Sequence, residues 1–195
     1  MGRKILFITT DQMRFDALGV NGGKIARTPA IDALARDGIN YTRCHAQNVV
    51  CMPARSTMIT GQYVSTHGVW MNGVPLPIDA PSVAKLLKDK KGYRTALLGK
   101  AHFEPFLDFQ LRFPENRMGV ENSFGPHRGF DHMELAAHGA RGPLHYPRWL
   151  MNNHPEMMDN FYPVLGPNMM QNSYGEGDTG AVQVKRNKTP RKFYH

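Results

Sequence analysis

The sequence predicts an α/β fold built on a mainly parallel sheet. Short apolar runs rich in β-formers recur at 4–10, 39–44 and 93–98. Helical patterns with start and stop signals lie between them. Alternation of strand and helix implies crossover connections, and these make neighbouring strands parallel.

The first run contains Ile5, Leu6, Phe7 and Ile8 and ends at Asp11 and Gln12. Its continuous apolarity is that of a strand buried on both faces. Thr28 and Pro29 mark a helix start with proline at the first helical position. That helix carries Ile31, Leu34 and Ala35 and stops near Gly38. The alternation at 39–44 reads as a second strand. Pro53 opens a helix over 54–60, closed by Gly61, and a clearer helix covers 82–91. Val83, Leu86 and Leu87 share one face of it, and Gly92 is its stop. The third strand, 93–98, ends at Gly99 and Lys100. From Phe103 the periodicity fades. Residues 103–180 read as one irregular, loop-rich region, a composition common in active-site loops, and 181–195 as a basic tail.

The chain has 195 residues, 41% of them hydrophobic, enough for one sizeable domain. No apolar run approaches the ~20 residues of a membrane-spanning helix, so no membrane partner is expected. Met1 to Lys4 is followed by a mostly apolar stretch of only six residues, 5–10, short of the ~7–15 of a secretory signal. A cytoplasmic location is the resulting expectation. Lys and Arg total 24 against 16 acids, a net charge of +8, which points to an anionic partner. Lys185, Arg186, Lys188, Arg191 and Lys192 cluster in the tail, a distribution that does not favour specific nucleic-acid binding. Cys44 and Cys51 fit no zinc or thioredoxin-like spacing and form no disulfide framework. Nor do His127, His132, His138, His145 and His154 follow a zinc pattern; they read as substrate-facing loop residues or polar filling.

In open α/β sheets ligands bind beyond the carboxyl ends of the strands. Asp11 and Gln12 follow the first strand, Lys100 and His102 the third, and Cys51 to Arg55 stand at a loop-to-helix junction. Three segments distant in sequence therefore point at one rim. A carboxylate and an amide oxygen suit a hard divalent cation. Lysine and arginine suit the oxygens of a sulfate or phosphate. Together they describe a metal-assisted site for a small anionic ester.

Cys51-Met52-Pro53-Ala54-Arg55 resembles the Cys-x-Pro-x-Arg signature of the type I sulfatases, members of the alkaline-phosphatase superfamily with phosphonate monoester hydrolases as close relatives. Asp11, Gln12, Arg14, Asp16, Leu18 and Gly19 resemble the family's first metal-binding strand end. Thr28, Pro29, Asp32 and Leu34 resemble its next helix. Gly92, Tyr93, Thr95, Gly99, Lys100 and His102 resemble its second signature, and Gly129-Phe130-Asp131 a later landmark. The ordered set covers roughly residues 3–135.

The resemblance implies an alkaline-phosphatase-like sheet flanked by helices, incomplete at its C-terminal end, with 1–195 as the N-terminal portion of a sulfatase domain. Within it, 1–102 would be the core that carries the motifs. Cys51 would be converted by a formylglycine-generating enzyme to formylglycine, the nucleophile, with Pro53 and Arg55 in the motif that enzyme reads. Asp11, Gln12 and the modified Cys51 would bind one divalent metal, calcium or else manganese or magnesium. Arg55 would hold the formylglycine, Lys100 would neutralise the transferring group, and His102 would contact the formylglycine hydroxyls. The implied reaction is hydrolysis of sulfate esters. Gln12, where many arylsulfatases have a second aspartate, and Ala54, in place of the common serine, are closer to the phosphonate monoester hydrolases, so that reaction class stays open. The further metal ligands of the family are not found in this chain, which leaves an inactive truncated relative as a third reading.

Overall fold

The computed structural model describes residues 3–106, 108, 110–137 and 144–157. The basic tail and His138 lie outside them. The chain forms two compact units, Met1–His45 and Ala46–His195.

The first unit holds two short 3-10 turns, Phe15–Ala17 and Gly19–Asn21, and helix α1, Pro29–Asp37. Thr28 occupies the N-cap position, with Pro29 in the first turn, as expected. Its hydroxyl, however, does not cap the helix. It accepts from Gly19 N (2.8 Å) and donates to Asp32 Oδ1 (3.0 Å), which also accepts from Val20 N (2.8 Å). A Cβ at Gly19 would stand 2.5 Å from Asp32 Oδ2, so any larger residue would have to displace that carboxylate. The strands expected at 4–10 and 39–44 are not formed, and Ile5, Leu6, Phe7 and Ile8 are 61–84% exposed. The physical reason is that a strand is completed by a neighbour's ladder. Among the described residues of this unit no such neighbour exists.

The second unit carries α2 (Cys51–Thr60), α3 (Val64–His67), α4 (Val83–Lys91), β1 (Ala96–Lys100), α5 (Pro114–Glu121), β2 (His132–Ala136) and α6 (His145–Asn153). β1 and β2 pair in parallel, from Ala96 opposite His132 to Lys100 opposite Ala136, with α5 in the connection. The parallel α/β expectation holds in this small sheet. The irregularity expected from 103 does not, because α5, β2 and α6 all fall inside it. β2 hides Met133 and Leu135 on one face, while His132 and Glu134 are exposed on the other. Met52, Val69, Met133 and Leu135 anchor the core, each 2% exposed or less.

Local chemistry sets the element ends. Ser82 Oγ accepts from Lys85 N (3.4 Å) at the start of α4, and Gly61 and Gly92 close α2 and α4 in the left-handed conformation. β1 begins at Ala96, later than the expected 93, because Thr95 is held by Asp131. The Asp131 carboxylate accepts from Thr95 N (3.1 Å) and from Lys88 Nζ, while Thr95 O accepts from Asp131 N (2.9 Å). The Lys88 ammonium and these bonds hold the Asp131 carboxyl below the usual carboxylate range. Gly129, two residues earlier, passes so close to α4 that a Cβ would meet Lys85 N at 2.3 Å, and its φ is +89°. This contact gives the Gly129-Phe130-Asp131 segment its physical rationale.

Candidate active site

Cys51 is the first residue of α2, so the helix begins ahead of the expected start at Pro53. A proline in the first turn removes an N–H that has no intrahelical partner there, so the helix tolerates it. Val50 is extended at the N-cap position, and its N–H donates to Asn48 Oδ1 (2.8 Å). The Met52 N–H donates to Asn72 Oδ1 (2.9 Å). Two asparagine side chains thus shape the entry into the helix. Cys51 is half-buried and outside any disulfide, at the positive end of the helix dipole. Met52, fully buried, roots this turn in the core.

Arg55 lies one turn further along α2. Its guanidinium donates to the main-chain carbonyl of Lys100, the last residue of β1. This bond joins the helix that begins with Cys51 to the strand end that leads to His102. His102 is buried, with its ring edge-on to Phe106 at 5.1 Å between centroids, and its φ of 56° lies in the left-handed region. A non-glycine residue there is uncommon, and such conformations gather at functional sites. Four of the expected site residues, Cys51, Arg55, Lys100 and His102, therefore belong to one unit.

Asp11 and Gln12 belong to the other unit, both exposed, with Gln12 also at positive φ (50°). A carboxylate followed by an amide carbonyl is a hard-oxygen donor set, which fits calcium, magnesium or manganese. A thiol at Cys51 does not suit such an ion; a hydroxyl in its place does.

Other polar residues are legible only in three dimensions. His67 Nδ1 accepts from Val69 N (3.1 Å), which leaves Nε2–H to donate to Thr57 Oγ1 (3.0 Å), beneath α2. Burial holds this imidazole below the ordinary histidine range. His145 is held the same way: Nδ1 accepts from Leu135 N (3.1 Å), Nε2 donates to Ser123 O (2.8 Å), and burial lowers it too. Glu104, Glu115, His127 and Arg128 gather just beyond His102, with the Glu115 carboxyl pushed up to about 8 by burial and by the charge of Glu104. No local spacing announces that cluster.

Residues 3–140 match the family described as Sulfatase. An ulvan-active sulfatase of Formosa agariphila is 39% identical over 117 residues, 60% of this chain and 23% of that protein. A second from the same organism is 32% identical over 171 residues, 82% of this chain and 33% of that protein. This chain thus spans a third or less of these two relatives. Among solved structures, the phosphonate monoester hydrolase of Agrobacterium radiobacter superimposes with a TM-score of 0.56 at 30% identity, over 77% of this chain and 28% of that one. BT4656, solved in complex with its substrate D-glucosamine-2-N,6-O-disulfate, gives 0.52 at 26% identity, over 66% and 22%. The helix that opens on Cys51, the arginine tied to the strand end at Lys100 and the buried His102 all fall inside the matched span, and on that match the chain belongs to the sulfatase family.

Proposed function

We propose that this chain carries the nucleophile half of a sulfate-ester hydrolase. The single observation that supports it is the bond from Arg55 to the Lys100 carbonyl, which couples the Cys51 helix to the strand end bearing Lys100 and His102. In this reading a formylglycine-generating enzyme converts Cys51. Asp11 and Gln12 would offer oxygen donors to one divalent cation of the calcium, magnesium or manganese class. When present, the formylglycine supplies a hydrated aldehyde as nucleophile, and the cation offsets charge on the transferring group.

The chain's own residues do the rest. The half-buried N-terminus of α2 favours negative charge at position 51. Arg55, fixed through the Lys100 carbonyl, places a permanent cation beside that position. The Lys100 ammonium faces an anionic ester as a point charge and stabilises its oxygens as the ester bond breaks. His102, buried and packed on Phe106, is suited to hold or move a proton at the hydroxyls of residue 51.

A phosphonate monoester or phosphodiester substrate is the second reading. It is favoured by Gln12 after Asp11 and by the likeness to the Agrobacterium hydrolase. Intact mass of the protein from its native source, with fragmentation across residue 51, tests the nucleophile. Loss of sulfur and gain of an aldehyde oxygen at Cys51 is the expected result, and an unmodified thiol overturns it. Turnover of paired aryl sulfate and aryl phosphonate monoesters by that same protein then separates the two substrate classes.

A further inference from the structure

Two carboxylates and an imidazole meet inside the second unit, just beyond His102, and none of them has a role in the reaction proposed above. Glu104 follows β1, Glu115 is in the first turn of α5, and His127 precedes β2. Glu104 and Glu115 are 2% exposed and His127 is 9%. One ligand-type atom from each lies within 4.8 Å of the others. From this geometry we propose that Glu104, Glu115 and His127 form a buried structural site for a zinc-type divalent ion, separate from the Asp11 and Gln12 site.

The histidine carries the inference. Its Nε2 is shielded from water and has no hydrogen-bond partner, and it faces Glu104 Oε1 at 3.7 Å. A buried ring nitrogen left without a partner is costly, and 3.7 Å is too long for a hydrogen bond to the carboxylate. A third body between them satisfies both groups.

The carboxylates are prepared for that role. Glu104 Oε1 accepts from Arg128 Nη2 (3.0 Å), and Glu104 Oε2 accepts from Glu115 N (2.8 Å). Arg128 is itself held by the carbonyls of Leu76 (2.7 Å) and Pro77 (2.9 Å). Glu115 Oε1 accepts from Phe103 N (3.2 Å). Such outer partners orient ligands in metal sites. Arg128 pairs with Glu104, and among the described residues Glu115 has no ion pair of its own.

One nitrogen and two carboxylate oxygens in a dry pocket suit zinc better than calcium, which asks for ~6–8 oxygens. Tetrahedral ligands ~2.0–2.2 Å from zinc stand roughly 3.4 Å apart, so the three atoms, within 4.8 Å of one another, would draw closer on binding. His127 also borders a cleft of about 190 Å³, lined with it by Lys85, Lys88, Asp89, Pro126, Arg128 and Gly129. The bound ion would pin the loop after His102 to α5 and to the turn before β2.

The test uses the full chain stripped of metal and titrated with Zn²⁺. Retained zinc is counted by elemental analysis, and the Co²⁺-substituted form is read by visible absorption. Expected are one tightly held zinc per chain, tetrahedral cobalt bands, and a zinc-dependent rise in Tm. Asp11→Asn should leave all three unchanged, whereas His127→Gln should weaken zinc binding by about 100-fold or more. Anomalous scattering at the zinc edge from crystals of the unmutated chain gives a readout that does not depend on the variant folding. Density between the three side chains is the expected result. Zinc bound equally well by His127→Gln, no density there, or a protonated carboxyl at Glu115 under saturating zinc would each overturn the site. None of these outcomes depends on formylglycine at Cys51.

Discussion

The guanidinium of Arg55 donates to the main-chain carbonyl of Lys100, so a side chain one turn into α2 grips the end of β1. A helix start and a strand end that are far apart in sequence thereby become one piece. Replacing Arg55 by alanine removes a charge-assisted bond to a main-chain acceptor. Stability to urea should fall by about 1–2 kcal/mol. In whichever of the sulfate and phosphonate assays is positive, kcat/KM should fall by roughly 100-fold or more. An unchanged urea midpoint would show that the bond does not hold in solution.

Adjacent residues on α2 should separate chemistry from folding. Cys51 is half-buried, and Cys51→Ala should abolish turnover while leaving the melting curve almost where it was. Met52 is fully buried in the core. Met52→Ala should cost about 2–5 kcal/mol, because the surrounding side chains close only part of the cavity left behind. Circular-dichroism melts of the two variants side by side decide the matter.

Gly129→Ala is expected to be among the most damaging single-methyl additions. The new Cβ would stand 2.3 Å from Lys85 N, on a backbone with φ of +89°. Overpacking and the positive φ together should cost about 3 kcal/mol. Chemical denaturation measures this directly, and a loss below roughly 1 kcal/mol would mean that α4 yields more easily than its contacts imply.

Acid should weaken the fold through His67 and His145. Both rings accept a main-chain N–H on Nδ1 and are held by burial below the 6.5 of an unfolded histidine. A depressed folded value means that the unfolded chain takes up the proton first. Stability is therefore full above about pH 6.5 and declines as pH falls toward the folded values. The Glu115 carboxyl, pushed up to about 8, acts in the opposite sense over the same window, so the histidine contribution is read as the difference in urea midpoints, from about pH 7.5 down to about pH 5, between the unmutated chain and His67→Gln or His145→Gln.

Helices α1, α2 and α4 were legible, because their signals are local, whereas α5 and α6 fall in the stretch that reads as irregular. Pro29, Ser82, Gly61 and Gly92 each stand within a residue of the end they mark. Strands depend on partners that the local sequence does not name. Residues 4–10 have the composition of a buried strand and make no ladder, whereas His132–Ala136 starts on a histidine and does. Thr95 reads as strand but is taken by the Asp131 side chain, which shifts the start of β1. Cys51, Arg55, Lys100 and His102 stood out through their motifs, and two of them meet in the bond from the Arg55 guanidinium to the Lys100 carbonyl. The cluster of Glu104, Glu115 and His127 did not, since its members come from a loop, a helix and a turn whose separations of eleven and twelve residues match no metal-ligand pattern.

Gln12 is exposed and sits at a φ of 50°, a conformation that glycine adopts at no steric cost. A change to glycine there would relieve about 1 kcal/mol of backbone strain with little packing to lose. Directed evolution toward heat resistance alone should therefore drift to Gln12→Gly. Such a screen would reward the change that discards the amide oxygen, and with it one of the two donors of the cation site proposed at Asp11 and Gln12.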